Sequence, residues 1–298
     1  MTHPTARLFL GHLLSALLAV LLLARPASAD ECTARQEVAE AAGATADPVP
    51  VWSHRPAGWA DDGRVVVVLH GLNRAAAQYC QQWRSLAEAH QFLLLVPEFT
   101  KAKFPGLRWY NYGNVIDDEG RPTPPANWTF HALDRVVLAA MRSEGARRTG
   151  FAVYGHSAGA QFLHRYLLLT GAPHAETVVI ANSGSYTLPR GDRAFPEGLG
   201  NIAAVPGLRR AVLGRAVVLL LGELDTDPMH HQLPKQPWAV AQGSHRFARG
   251  WFFFDTMRLA ASAQGMAFSW RVVTAPGVGH SNGGMARFAA QHLFALPP

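Results

Sequence analysis

Cysteine is nearly missing from this chain: there are two, Cys32 and Cys80, in 298 residues, and no C-x-x-C pair. That excludes a cysteine-built zinc site, a thioredoxin-like redox centre and a small disulfide scaffold. Charge is sparse as well, at 16% of residues. The basic excess is small and scattered, apart from pairs such as Arg147-Arg148 and Arg209-Arg210, with no basic stripe interleaved with stacking aromatics. A nucleic-acid partner is therefore not expected. No repeat or low-complexity block interrupts the chain. Only one apolar run is long, Leu8–Leu23.

That run has the layout of a secretory signal peptide. Arg7 precedes it, and Arg25-Pro26-Ala27-Ser28-Ala29 closes it with small residues at the cleavage spacing. It is short for a membrane span. The expectation is residues 1–29 removed after Ala29, no membrane association afterwards, and a secreted or periplasmic protein of residues 30–298 forming one domain. Asp30-Glu31 before Cys32 argues against a lipid anchor at that cysteine. Cleavage leaves 25 basic residues against 21 acidic. In an oxidising compartment Cys32 and Cys80 are expected to pair, which the chain-entropy model values at roughly 4 kcal/mol. The bland alternative is two buried thiols.

The remaining sequence is 49% hydrophobic before removal of the leader, enough for one large core. Its apolar residues come in two lengths. Short continuous runs, Arg64–His70, Phe92–Val96, Phe151–Tyr154, Thr177–Ala181, Ala216–Leu221 and Ser269–Thr274, suit strands covered on both faces; Val49–Ser53 reads as an edge strand. Between them, Ala75–His90, Phe130–Arg142, Ala158–Thr170, His245–Gln264 and Met285–Leu296 carry helical spacing. In the fourth of these Phe247, Trp251 and Phe254 form the expected buried stripe. Strand-helix alternation predicts a mostly parallel central sheet with helices on both faces and right-handed connections. Three long Pro/Gly-rich connections, Thr100–Trp128, Ser183–Gly214 and Thr226–Ser244, are functional candidates by their length.

One strand-helix seam carries Gly155-His156-Ser157-Ala158-Gly159. A serine on a sharp turn there needs small residues two positions either side. By itself G-x-S-x-G is common; a strand before it and a helix after it make it a nucleophile elbow, with the Ala158 amide at the helix N-terminus facing a developing oxyanion. Serine needs a base, and the base an orienting acid. For such an elbow the acid follows the serine and the histidine comes last. Gly222-Glu223-Leu224-Asp225-Thr226-Asp227 follows a later strand: Asp225 is the first choice, Asp227 the reserve and Glu223 a distant third, the competing role being a cap for the next segment. Of 14 histidines, His280 sits in the glycine-dense stretch Pro276–Gly284 after the last strand and is the candidate base. His156 is expected to pack against the turn, and His230-His231 to be a weak metal candidate without helical ligand spacing. After the valine run, His70-Gly71-Leu72-Asn73 offers a second oxyanion amide, that of Leu72 or, failing that, Asn73, with His70 pinning the loop. Trp109, Tyr110, Trp128 and Trp238 in the long connections either line a substrate groove or pack the loops onto the sheet.

The HG after the first long strand, the GHSAG elbow, the GELDTDP stretch and the terminal GVGH together resemble the α/β-hydrolase superfamily over nearly the whole mature chain. Within it, HGLNRAAAQY, VPEF and GELDTDP are similar to secreted esterases grouped with polyhydroxybutyrate depolymerases. The resemblance implies Ser157, His280 and Asp225 as nucleophile, base and acid, with the Leu72 and Ala158 amides as oxyanion hole. It also implies no metal, no organic cofactor, and a small-molecule or polymeric ester as substrate. No long insertion resembles a lid domain. A peptidase, amidase or acyltransferase on the same scaffold, and a non-catalytic binding protein that keeps the fold, are the rival expectations.

Overall fold

In the computed structural model the described residues are Met1, Cys32, 34–202 and 210–294. Apart from Met1, the expected signal peptide lies outside them. The elements from Cys32 onward form one compact unit, and the run lengths in the sequence translate into it directly. Its strands are β1 (Ala34–Val38), β2 (Val49–His54), β3 (Val65–Leu69), β4 (Leu93–Pro97), β5 (Phe151–His156), β6 (Ala175–Ala181), β7 (Val217–Gly222) and β8 (Trp270–Ala275). They form one sheet in the order β1-β2-β4-β3-β5-β6-β7-β8. All neighbouring pairs from β4 to β8 are parallel, whereas β2 is antiparallel to both β1 and β4.

Alternation along each strand sorts the continuous apolar runs into two cores. Val65, Val67, Leu69, Val153, Ile180 and Leu219 belong to one, and Val66, Val68, Tyr154, Val179 and Leu220 to the other. The first is covered by α3 (Thr129–Ser143), α4 (Ala158–Thr170) and α7 (Arg246–Ala263), the second by α1 (Ala76–His90) and α8 (Asn282–Phe294). Both faces being covered is why the central strands are wholly buried. The remaining helices are single turns: α2 (Gly106–Trp109), α5 (Arg210–Leu213) and α6 (Pro237–Val240).

Two expectations need correction. Val49–Ser53 is not an edge: β1 pairs outside it, from Ala34↔Ser53 to Val38↔Val49. The sequence of β1, ARQEV, has no apolar period because its side chains are mostly exposed; backbone hydrogen bonds to β2 hold it, helped by the buried Val38 and by Arg35 over the Trp52 ring. Helix α7 buries Arg246, Arg249, Gly250, Phe253, Met257 and Ala261 instead of the expected aromatic stripe. Trp251 is 40% exposed, and Phe247 and Phe254 are half-buried. The helix is turned so that Arg246 and Arg249 point inward, and Gly250 sits so close to the Leu221 side chain that a Cβ would collide with it.

Candidate active site

Strand β5 runs straight into the elbow. Ser157 follows it at φ 58°, ψ −113°, a left-handed conformation costly for a non-glycine residue, and α4 begins at the next residue. The flanking glycines are a steric requirement. A Cβ on Gly155 would overlap the Gly159 carbonyl and stand 2.9 Å from the Ala160 nitrogen; one on Gly159 would overlap the Leu69 carbonyl and lie 2.8 Å from the His70 oxygen. Backbone atoms cannot yield as a side-chain tip would. The turn is anchored by the Ser157 amide donating to the Ala181 carbonyl at 3.0 Å.

The structure brings Ser157, Asp225 and His280 together. His280 Nε2 lies 3.0 Å from Ser157 Oγ, and its Nδ1 lies 2.7 Å from Asp225 Oδ2. The imidazole tautomer that makes both bonds carries its proton on Nδ1, donating to the carboxylate and leaving Nε2 to accept from the hydroxyl. Asp225 is 3% exposed at the carboxyl end of β7. The other two acids point elsewhere: Asp227 is exposed and accepts the Met229 amide at 2.8 Å, and Glu223 accepts from Thr274 Oγ1 at 2.8 Å.

Three residues that hold these groups carried no signal in the sequence. Arg246, 1% exposed, donates to Asp225 Oδ1 at 3.3 Å and to His230 Nδ1 at 3.2 Å. Burial lowers the pKa of this guanidinium, with Asp225 acting in the other direction. Asn182, at φ 49° just after β6, accepts the Gly222 amide at 2.8 Å and donates to the Gly279 carbonyl at 3.2 Å, tying the ends of the acid and base loops. Tyr79 on α1 reaches His156 Nδ1 at 3.1 Å. His156 does pack against the turn, its ring 4.7 Å from that of His280, and burial drives its pKa well below the usual range, so it stays neutral. His230 is likewise shifted down by burial and by Arg246, and no group of three or more His, Cys, Asp or Glu able to hold a metal ion occurs among the described residues.

His70 behaves as the pin it was expected to be. Its Nε2 accepts the Phe99 amide at 3.0 Å while Nδ1 meets the Gly71 carbonyl at 3.1 Å. Full burial, aided by the Arg74 charge, lowers its pKa to about 3. Arg74 stacks 4.0 Å over Tyr110 and donates to the carbonyls of Phe99, Phe104 and Gly106. The HG loop is thereby pressed against the elbow, with the Gly71 Cβ direction 3.9 Å from Ser157 Cβ. Leu72 lines the cavity above Ser157, and Ala158 occupies the first turn of α4, where amides lack intrahelical acceptors.

That cavity holds about 200 Å3 and is bordered by Leu72, Asn73, Gln78, Gln82, Gln232 and Asn282 around Ser157 and His280. A second, of about 330 Å3, adjoins it through Leu72 and Gln232 and is bounded by Asn111, Tyr112, Gln161 and Leu233–Gln236. The four aromatics proposed for a substrate groove are not in these walls. Tyr110 is fully buried and donates to the His70 carbonyl at 2.6 Å; Trp128 is a core residue donating to the Thr123 carbonyl. Trp109 borders a separate cavity beside Arg108 and Asn114, and Trp238 is half-buried in α6. Loop packing claimed Tyr110 and Trp128 because the long connections have to bury apolar surface of their own.

Neither protein-family models nor curated protein sequences gave a match to this chain. Solved structures do. Poly(aspartic acid) hydrolase-1 from Sphingomonas sp. KT-1 is 34% identical, with TM-score 0.79 over 86% of this chain and 97% of that one. A poly(3-hydroxybutyrate) depolymerase from Bordetella parapertussis is 32% identical, with TM-score 0.78 over 84% and 88%. An S-formylglutathione hydrolase from Agrobacterium tumefaciens, 13% identical at TM-score 0.52 over 87% and 92%, shares the fold. A mostly parallel sheet sandwiched by helices, with a serine elbow at its carboxyl edge, defines the class of enzyme. The chain belongs to the α/β-hydrolase superfamily, as a carboxylic ester hydrolase of the esterase and depolymerase type.

Proposed function

We propose that the protein is an exported serine esterase that works through a Ser157–His280–Asp225 triad and an acyl-enzyme. The observation that carries this is the unbroken chain of two hydrogen bonds, 3.0 Å and 2.7 Å, from Ser157 Oγ through His280 to Asp225. In the first step His280 Nε2 takes the serine proton as Oγ attacks the ester carbonyl, and the amides of Leu72 and Ala158 receive the oxyanion. Collapse releases the alcohol, protonated by His280. Water then attacks the acyl-enzyme with His280 again as base, restoring Ser157. Asp225, buried and bonded to Nδ1, keeps the imidazole in the required tautomer and stabilises the imidazolium between steps.

The substrate would lie across the two adjoining cavities, with its scissile carbonyl at Ser157. Asn73, Gln78, Gln82, Gln232 and Asn282 put five carboxamides into the walls of the first, which favours a short or polar acyl group over a long aliphatic one. The two similar structures carry the names of a polyester and of a poly(amino acid), so chain-like substrates with repeating carbonyls are the class to try. Export is supported by the leader pattern of Arg7–Ala29 and by the Cys32–Cys80 disulfide, whose Cα atoms are 5.9 Å apart. No helix among the described residues is long and apolar enough to cross a membrane.

The decisive test is labelling by a fluorophosphonate probe, with hydrolysis of short-chain nitrophenyl esters beside the matching anilides. Wild type is expected to label and to prefer esters. Ser157→Ala should lose the label and reduce turnover by roughly 10^4-fold or more. A folded wild type that ignores the probe would refute the triad and favour the binding-protein alternative.

A further inference from the structure

We propose that Arg246 is a positioning residue of the hydrolytic site: its guanidinium holds Asp225 by the oxygen that His280 does not use and fastens the 226–244 connection through His230. The proposal rests on the triad assignment above and extends it from three residues to the side chain that orients them.

The geometry supports two roles for one fork. Asp225 Oδ2 serves His280 and Oδ1 serves Arg246 Nη1, so both carboxylate oxygens are engaged and the carboxyl plane is set. Arg246 Nη2 reaches His230 Nδ1, which also accepts the Gln232 amide at 3.2 Å. Gln232 borders both cavities. The same side chain therefore fixes the catalytic acid and one wall of the cleft. The guanidinium reaches the two acceptors from two separate nitrogens, Nη1 and Nη2, a span that a lysine ammonium, with its three donors on one atom, does not match. Arg246 opens α7, and the inward turn of that helix, at the expense of Trp251, is what brings it there.

Its charge has a consequence for the pH profile. The groups around His280 are Asp225 at the end of β7, Ser157 and His156 from the elbow, and His230 from the connection after Asp227. The charged forms of both neighbouring imidazoles are disfavoured, that of His156 by burial and that of His230 by burial and the Arg246 charge, so the main charged partners of the imidazolium are the Asp225 carboxylate and, behind it, Arg246, which Asp227 also faces. With Arg246 present the imidazolium faces a neutralised pair. With the cation removed it faces a lone buried carboxylate and forms more readily, so the free base persists only at higher pH. Arg249, one turn later, provides the control. It is equally buried but donates only to the carbonyls of Gly243, Gly184 and Pro234.

The experiment uses the full chain with Arg246→Met, Arg246→Lys and Arg249→Met. It follows kcat/KM for a short-chain nitrophenyl ester and the rate of fluorophosphonate labelling, each against pH. Arg246→Met is expected to lose about tenfold in kcat/KM and to move the acid limb upward by about one pH unit. Arg246→Lys should keep the acid limb in place, because the charge remains, but raise KM several-fold as the His230 bond is lost. Arg249→Met should leave the acid limb where it is. A folded Arg246→Met with the wild-type acid limb overturns the proposal. If that variant fails to fold, Arg246→Lys decides: a displaced acid limb, or kcat and KM both equal to wild type, overturns it. Absence of labelling in wild type would instead refute the underlying triad.

Discussion

Replacing Asn182 by alanine would cut the strut between the two loops that deliver Asp225 and His280. Two bonds go at once. The Gly222 amide, buried at the end of β7, loses its 2.8 Å acceptor, and the Gly279 carbonyl, one residue before His280, loses a 3.2 Å donor. A buried donor left unpaired costs about 1–3 kcal/mol and a partly buried acceptor about 0.5–1.5. Alanine must also adopt φ near 49°, where asparagine is tolerated and alanine pays about 1 kcal/mol. The expected loss is about 3–5 kcal/mol, or roughly 10 °C in Tm for a domain of this size. Water cannot easily replace the strut, because Gly222 is packed so closely that a Cβ there would meet the Val278 oxygen at 2.6 Å. Asn182→Asp separates the two bonds: its oxygens can still accept from Gly222, but they repel the Gly279 carbonyl. Urea midpoints followed by tryptophan fluorescence should therefore rank wild type above Asp and Asp above Ala. Ester kcat/KM should fall by at least about tenfold in the alanine variant as His280 loses its fixed angle. An alanine variant within about 0.5 kcal/mol of wild type, with unchanged kcat/KM, would refute the strut.

Gly159→Ala should cost about 3 kcal/mol or more and abolish fluorophosphonate labelling, since its Cβ can be accommodated only by moving the Leu69–His70 backbone away from the elbow; denaturant melts and labelling check both. His70 predicts an acid-sensitive fold. Its folded pKa is about 3 against about 6.5 unfolded, so below the unfolded value only the unfolded chain takes up the proton. Stability is then fully present above about pH 6.5 and falls by about 1.4 kcal/mol per unit towards pH 3 from this group alone. His70→Gln should flatten the measured slope by about one proton. Reduction of Cys32–Cys80, which closes a separation of 48 residues, should lower unfolding free energy by roughly 4 kcal/mol, read as a drop in Tm under reductant.

The sequence alone determined the elements that are wholly buried and the residues whose neighbours along the chain betray them. Continuous apolar runs announced β3, β4, β5 and β7 because a strand covered on both faces has no polar side to mask it. The elbow glycines announced Ser157 because local backbone crowding leaves a mark in adjacent positions, whereas Gly277, Gly279 and Gly283 are uncrowded and His280 was legible from its place after the last strand. What only the tertiary structure decided lies between segments distant in sequence. Asp225 separates from Asp227 and Glu223 by the direction each side chain leaves the end of β7, two residues being enough to aim one at His280 and another at solvent. Arg246 and Asn182 act through partners 16 to 97 residues away, and nothing in their own surroundings distinguishes them from a surface arginine and a loop asparagine. The polar strand β1 was invisible for the opposite reason: its ladder to β2 is made of backbone hydrogen bonds, which are indifferent to side chains, and Val38 is its one buried residue. Local sterics are written beside the residue they constrain, whereas long-range charge and hydrogen-bond pairing exist only once the chain has closed on itself.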